Sequence, residues 1–359
     1  MKKTTLALAA LGLCATQAHA QSNVTIYGII DAGITHVTNE SGNRTTVEAG
    51  QMQVSRWGFK GLEDLGGGVK ARFGLEGTLL NDTGGAGVAT GTPSSTSLFD
   101  REATVGLISN YGAIDIGRQN ILGVQSVGMA DPMGLAFAAT SPNVLFSAMN
   151  NSSVYGAYGA NNGGTALREN NSVRYVSPNW KGAHFALMRA FGEQPGNIQK
   201  SSYTAASAFY VEGPLSVGGA YARLKNNLDT DLLTSHAFGI KYTMPMMALK
   251  STYSQNRLDS TRRKISVFGV GADFTVAPAV VLTAAFYNTT RSGDLDDKSR
   301  QYIGIAKYLF SKRTNGYISI GRATTDTVVT ATQINLAQGF VAVGSDKANR
   351  FTTGVIHYF

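Results

Sequence analysis

Val69-Lys70-Ala71-Arg72-Phe73-Gly74-Leu75-Glu76 alternates along its whole length: Val69, Ala71, Phe73 and Leu75 are apolar, and Lys70, Arg72 and Glu76 stand between them. A period of two puts the two sets on opposite faces of an extended strand. A helix would repeat its apolar stripe every three or four residues. The pattern recurs on both sides of this stretch. Arg56 and Lys60 alternate with Trp57 and Phe59, and Lys241 sits between Ile240 and Tyr242, with Phe238 on their face.

Working outward, about sixteen such segments run from Asn23–Thr38 and Gly50–Leu62 to Tyr317–Thr325 and Arg350–Phe359. No amphipathic helix of about twelve residues or more is legible after the N-terminal segment. Short turns such as Glu63–Gly68, Asn110–Gly112 and Pro178–Gly182 alternate with long polar connections: Asn39–Glu48, Asn81–Asp100, Asn120–Glu169 and onward to Asp326–Asn349. Hairpins whose two ends differ in this way fit an outer-membrane barrel, with short turns on the inner side and long loops outside. A two-sheet sandwich also alternates, but it rarely keeps this asymmetry. The expected fold is all-β, a sixteen-stranded antiparallel transmembrane barrel. Tyr175, Trp180, Tyr242, Tyr308 and Tyr317 fall near strand ends, where an aromatic girdle would sit.

Composition supports the same class. Of 359 residues, 42 are Gly, 8 Pro and one Cys, and 15% are charged. The 16 Phe and 15 Tyr argue against disorder, and one Cys excludes a disulfide scaffold. Lys2 and Lys3, the apolar Leu6–Leu13 run and Ala18-His19-Ala20 have the order of a cleaved signal peptide. Residues 1–20 are therefore expected to be removed, leaving 21–359 as a single barrel domain. Cys14 would leave with the signal; the bulky Leu13 before it argues against a lipoprotein. Loss of Lys2 and Lys3 lowers the net charge from +8 to +6.

Other chemistry finds little support. His36, His184, His236 and His357 lack metal-ligand spacing, so neither metal nor cofactor is expected. A rim enzyme would need a Ser/His or Asp/His constellation, to which only His36 and His236 lie close; the expectation is no enzyme. Gly66-Gly67-Gly68 lacks the Lys and helix of a phosphate loop and reads as a hairpin turn. Arg262-Arg263-Lys264 reads as an outer loop, solvated or touching the anionic sugars of lipopolysaccharide, and no nucleic-acid partner is expected.

Val24-Thr25-Ile26-Tyr27-Gly28-Ile29-Ile30-Asp31, Ser55-Arg56-Trp57-Gly58-Phe59-Lys60-Gly61, Ile116-Gly117-Arg118-Gln119, Tyr308-Leu309-Phe310-Ser311 and the closing Gly354-Val355-Ile356-His357-Tyr358-Phe359 together resemble the general porins of Gram-negative bacteria, in their neisserial and β-proteobacterial branch. The motifs span the mature chain. The resemblance implies a homotrimer in the outer membrane, passing ions and small hydrophilic solutes, with a third long loop folded into the lumen. Asn120–Glu169 is the longest connection, and Leu135, Phe137, Val144, Leu145 and Phe146 equip it to pack against a wall. The family's acidic motif is missing from it: Asp131 is the one carboxylate before Glu169.

The resemblance also implies that Arg56 and Arg118 point into the constriction. Arg174, on the strand after the loop, is added as a third, and Lys60 and Arg72 share inward parity. Asp131 completes the expected set. Asp31, Glu76, Glu102 and Asp115 are the inward acids available to pair with these cations. Arg118 shares the parity of Ile114 and Ile116, so its inward direction rests mainly on the resemblance and requires a local bulge or a strand end. Small anionic or neutral solutes are the expected cargo, with outer-membrane lipid and lipopolysaccharide as surroundings.

Overall fold

The computed structural model describes residues 23–87, 97–137, 140–147, 152–160 and 167–359. The signal segment expected at residues 1–20 lies outside them. The strands are β1 (Asn23–Asn39), β2 (Gly42–Ala49), β3 (Arg56–Gly66), β4 (Val69–Leu80), β5 (Gly85–Ala86), β6 (Glu102–Ser109), β7 (Gly112–Asn120), β8 (Arg168–Val176), β9 (Ala183–Ala190), β10 (Tyr203–Glu212), β11 (Leu215–Lys225), β12 (Leu232–Thr243), β13 (Met247–Leu258), β14 (Lys264–Ala277), β15 (Val280–Ser292), β16 (Asp297–Leu309), β17 (Thr314–Thr325) and β18 (Lys347–Tyr358). Neighbours pair antiparallel around one sheet, and β18 returns to β1 with Ile30 opposite His357 and Asn39 opposite Ala348. Both β2 and β3 pair with β1, as the outer and inner parts of one interrupted strand, while β5 pairs only the end of β4. The result is the expected closed barrel of sixteen staves.

Two connections differ from the sequence reading. Asn39–Glu48 is not a long loop: β1 turns at Glu40 and Ser41 straight into β2, where Thr45, Thr46 and Val47 favour extended backbone. The second stave is broken between Gly50 and Ser55 instead of running unbroken from Gly50. The cause is Asp31, whose carboxylate accepts the N–H groups of Met52 (2.5 Å) and Gln53 (2.8 Å), and so takes them out of the ladder.

Polarity is inverted relative to a water-soluble domain. Ile26, Val105, Ile116 and Ile320 are more than half exposed on the outer surface. Thr35, Ser207, Ser235, Thr252 and Gln301 are buried on the inner one. A hydrocarbon surround demands this arrangement and requires that no sheet edge remain open. Trp180, Tyr242 and Tyr308 are exposed as girdle residues should be. Tyr317 is not one of them: it turns inward and donates to Asp31 Oδ1 at 2.7 Å.

The seam closes on the last residue. Phe359 N–H donates to Gly28 O at 3.1 Å, and Gly28 N–H donates to Phe359 O at 3.2 Å. A Cβ on Gly28 would lie 2.6 Å from Arg56 O and against the Phe359 ring. Overpacking of this kind costs about 1–3 kcal/mol. Gly28→Val is therefore expected to lower by several degrees the temperature at which the barrel loses its compact mobility on unheated gels. An unchanged transition would show that the seam tolerates a side chain there.

Candidate pore constriction

Sixteen staves enclose a lumen too wide for their own side chains to fill. The connection after β7 fills part of it. Its helix Leu122–Gly128 lies across β11 and β12. Gly239 is needed there, since a Cβ would strike Ser126 O. Further tethers follow along the chain. Leu122 N–H donates to Tyr203 Oη (3.2 Å), Met133 N–H to Tyr287 Oη (3.2 Å) and Phe137 N–H to Gln51 O (2.5 Å). Arg350 donates to Thr140 Oγ1 (3.0 Å) and places its guanidinium 4.8 Å from the Phe137 ring centroid. Arg263 donates to Val154 O at 2.5 Å. Phe137, Val144, Leu145 and Phe146 are buried, as expected, so the loop brings an apolar core into a polar-lined barrel. The connection 326–346 also packs inward: Phe340 and Val341 are buried with Val37, Ala323 and Ala348.

Asp131 requires correction. It does not face the constriction water; it is 1% exposed, beneath the loop. Its carboxylate accepts from Asn143 Nδ2 (2.6 Å), Leu135 N–H (2.7 Å), Met133 N–H (3.1 Å) and Tyr287 Oη (3.1 Å). Asn143 also donates to Thr252 Oγ1 on β13 (2.9 Å). The residue is a staple between loop and wall.

The basic residues gather on the other wall, from β3 to β8. Arg72 grips Asp115 with two donors (2.6 and 2.5 Å), and Arg174 Nη2 adds a third at 3.1 Å. Arg56 Nε lies 4.0 Å from Glu76, Arg56 Nη2 donates to Gln53 Oε1 (3.2 Å), and Glu76 is shared with Arg101 Nε at 2.6 Å. Lys60 Nζ stands 5.0 Å from the Tyr27 ring centroid. Arg118 Nε donates to Asp100 O and Nη1 to Asn170 Oδ1, both at 2.6 Å. Of the two alternatives, the structure has the bulge: the β7–β8 register shifts between Gly117 and Gln119, with Gly117 at φ +130°.

Of the expected acids, Glu76 and Asp115 pair with arginines. Asp31 is occupied by backbone N–H groups and Tyr317, and Glu102 accepts from Thr104 Oγ1 at 2.8 Å. The sequence reading missed Arg101 and Arg168. Arg168 is buried and donates to Arg101 O at 2.7 Å. Both adjoin strand ends, where parity counting starts or stops. Lys60, Arg72, Glu102, Asp115 and Arg174 line an open lumen space of about 480 Å³.

An apolar outside, a charged inside and a loop packed within the bore define a passive transmembrane channel. The chain belongs to the Gram-negative porin family, whose model matches residues 7–328. It is 28% identical over 370 residues to outer membrane porin protein 32 of Delftia acidovorans, covering 99% of this chain and 98% of that one. It is 30% identical over 251 residues to an outer membrane porin of Bordetella pertussis, covering 62% of this chain and 60% of the relative. Among solved structures, the anion-selective porin from Comamonas acidovorans superposes with a TM-score of 0.78 at 24% identity, covering 94% of this chain and all of that one. The protein is an outer-membrane channel for passive diffusion of ions and small hydrophilic solutes.

Replacing the staple separates its role from that of a lumen charge. Asp131→Ala strands the Asn143 and Leu135 donors, at about 1–3 kcal/mol each. The variant is expected to show larger open-channel noise and a lower unfolding temperature, with ion preference kept. A shift in reversal potential comparable to that of an arginine variant would return Asp131 to the water-filled path.

Proposed function

We propose that the channel prefers anions and works as a homotrimer. The observation that carries the first part is the shared carboxylate: Asp115 serves Arg72 and Arg174, and Glu76 serves Arg56 and Arg101. Each of these acids answers two cations, so positive charge is in excess on the wall the solute passes. The loop offsets none of it, since Asp131 is turned into the protein. Charges at a narrow, partly dehydrated passage govern selectivity, whereas charge on outer loops is screened within about 8 Å. The anion selectivity named for the Comamonas structure supports the reading. Small anionic and neutral solutes are the cargo, and neither a catalytic group nor a cofactor is needed.

The second part rests on strand length. β6 to β9 have 8, 9, 9 and 8 residues, against 14 and 13 for β14 and β15. At about 3.3 Å per residue and about 45° tilt, the short set spans less than the roughly 25 Å apolar band of an outer membrane. Its outer surface carries exposed Val105, Leu107, Ile114 and Ile116. A neighbouring copy against this face would spare the bilayer the mismatch. Residues 1–20 serve as the export signal, and lipopolysaccharide surrounds the longer strands.

Purified protein in a planar bilayer is expected to give stepwise conductance in threes, and a reversal potential in a salt gradient that marks anion preference. Arg56→Gln, Arg118→Gln and Arg174→Gln together should move that potential strongly toward zero. Glu76 keeps Arg101 and Asp115 keeps Arg72, so neither acid is stranded. Cation preference in the wild type would refute the reading, and an unmoved potential in the triple variant would show that other residues set it. Removing most of residues 121–167 should raise conductance and admit larger solutes.

A further inference from the structure

Below the loop tip lies a second polar cavity of about 150 Å³, between Gly134, Gln53 and strands β13 to β18. Lys250 Nζ is 2.6 Å from Asp273 Oδ2 and donates to Pro132 O at 3.4 Å. The other Asp273 oxygen accepts from Thr283 Oγ1 at 2.7 Å. Lys307 lines the same cavity, and among the described residues no carboxylate lies within ion-pair distance of it. The one carboxylate that lines the cavity already holds a lysine and a hydroxyl, and Asp31, behind the lining, is held by Met52 N–H, Gln53 N–H and Tyr317, so Lys307 is left as the lining cation without an ion-pair partner. Asn315 and Tyr358 also line it and carry further N–H and O–H donors.

We propose that this cavity binds a small oxyanion, a carboxylate or phosphate group, with Lys307 as its counter-ion and Lys250 as a second contact. The donor set favours a polyatomic anion over chloride. Ammonium, amide and phenol groups around one space call for several acceptor oxygens, which a spherical ion lacks. The volume holds such an anion and is below the roughly 300–1,000 Å³ of drug-sized pockets. Affinity is held down by the open, wet lumen, as a conducting pore requires: a bound ion must also leave. The site would hold anions briefly beside the passage and so raise their local concentration there. The inference rests on channel function and not on the ion preference proposed above.

The test is chloride current through single channels while sodium phosphate, or in a second series sodium succinate, is titrated at constant ionic strength. The wild type is expected to show saturable reduction of the current by at least one of these anions; which series responds identifies the group. Lys307→Met should raise the half-blocking concentration at least about tenfold, the lower end of the weight of one charge-assisted hydrogen bond. Lys307→Arg should keep most of the block. Asp273→Asn removes the competing carboxylate and should shift the half-blocking concentration the opposite way, an outcome that general loosening of the barrel would not produce. No saturable block by either anion, or equal block in wild type and Lys307→Met, overturns the site. The reversal potential of the same channels reports the arginine wall separately, so one reading can fail while the other stands.

Discussion

Backbone hydrogen bonding in a medium without water is the constraint on which this structure rests. Every N–H and C=O of a strand in hydrocarbon needs a partner, so the sheet must close. It closes where β1 meets β18, and Gly28 and Phe359 exchange both of their backbone bonds at the inner end of that seam. Closure fixes which face is which. With a two-residue period, the stripe of Val, Ile and aromatic side chains turns to lipid and the polar stripe turns to the water inside. The exposed Ile26 and Ile320, which would be a liability on a soluble protein, are here the anchoring surface.

A barrel of this circumference then has a problem in its middle. Small polar residues on the inner wall do not fill it, and an empty bore would discriminate poorly. The loop after β7 supplies the missing bulk, and it is held by specific pairs: Tyr203 with Leu122, Tyr287 with Asp131 and Met133, Thr252 with Asn143, Arg350 with Thr140. Each tether joins a loop group to a different strand, so the loop is fixed along its course and not only at its ends. These four tethers lie on β10 to β18, and Phe137 N–H adds one to Gln51 O between β2 and β3; the arginines are carried by the strands from β3 to β8.

Charge is distributed unevenly around the barrel. The loop itself is nearly neutral, with its one carboxylate buried. The wall side is crowded with guanidinium groups that share too few acids. In a dry interior such crowding would be costly, but the lumen water and the shared carboxylates make it tolerable. Burial of Arg168 beside Arg101 shows how closely the cations are stacked once acids and backbone carbonyls stand among them.

Alternation along the chain determined the strands, their number and their facing. It put Arg56, Lys60 and Arg72 on one face, since parity is a local property of extended backbone, whereas Arg174 was added from its place on the strand after the loop. It also stated what Arg118 needed, and the bulge at Gly117 meets that need. Tertiary structure decided what has no period. Asp131 lies in a loop with no repeat to count, and its direction follows from Tyr287 and Asn143, the first of them 156 residues away along the chain. The break at Gly50–Ser55 follows from Asp31 reaching across to two N–H groups, and Tyr317 left the girdle for the same carboxylate. Lys307 is left without an ion-pair partner among the described residues because Lys250, Thr283 and Asp273 satisfy one another across three strands. Strand identity and facing are written in neighbouring residues; how charges cancel depends on which distant side chains the closed barrel brings within bonding distance.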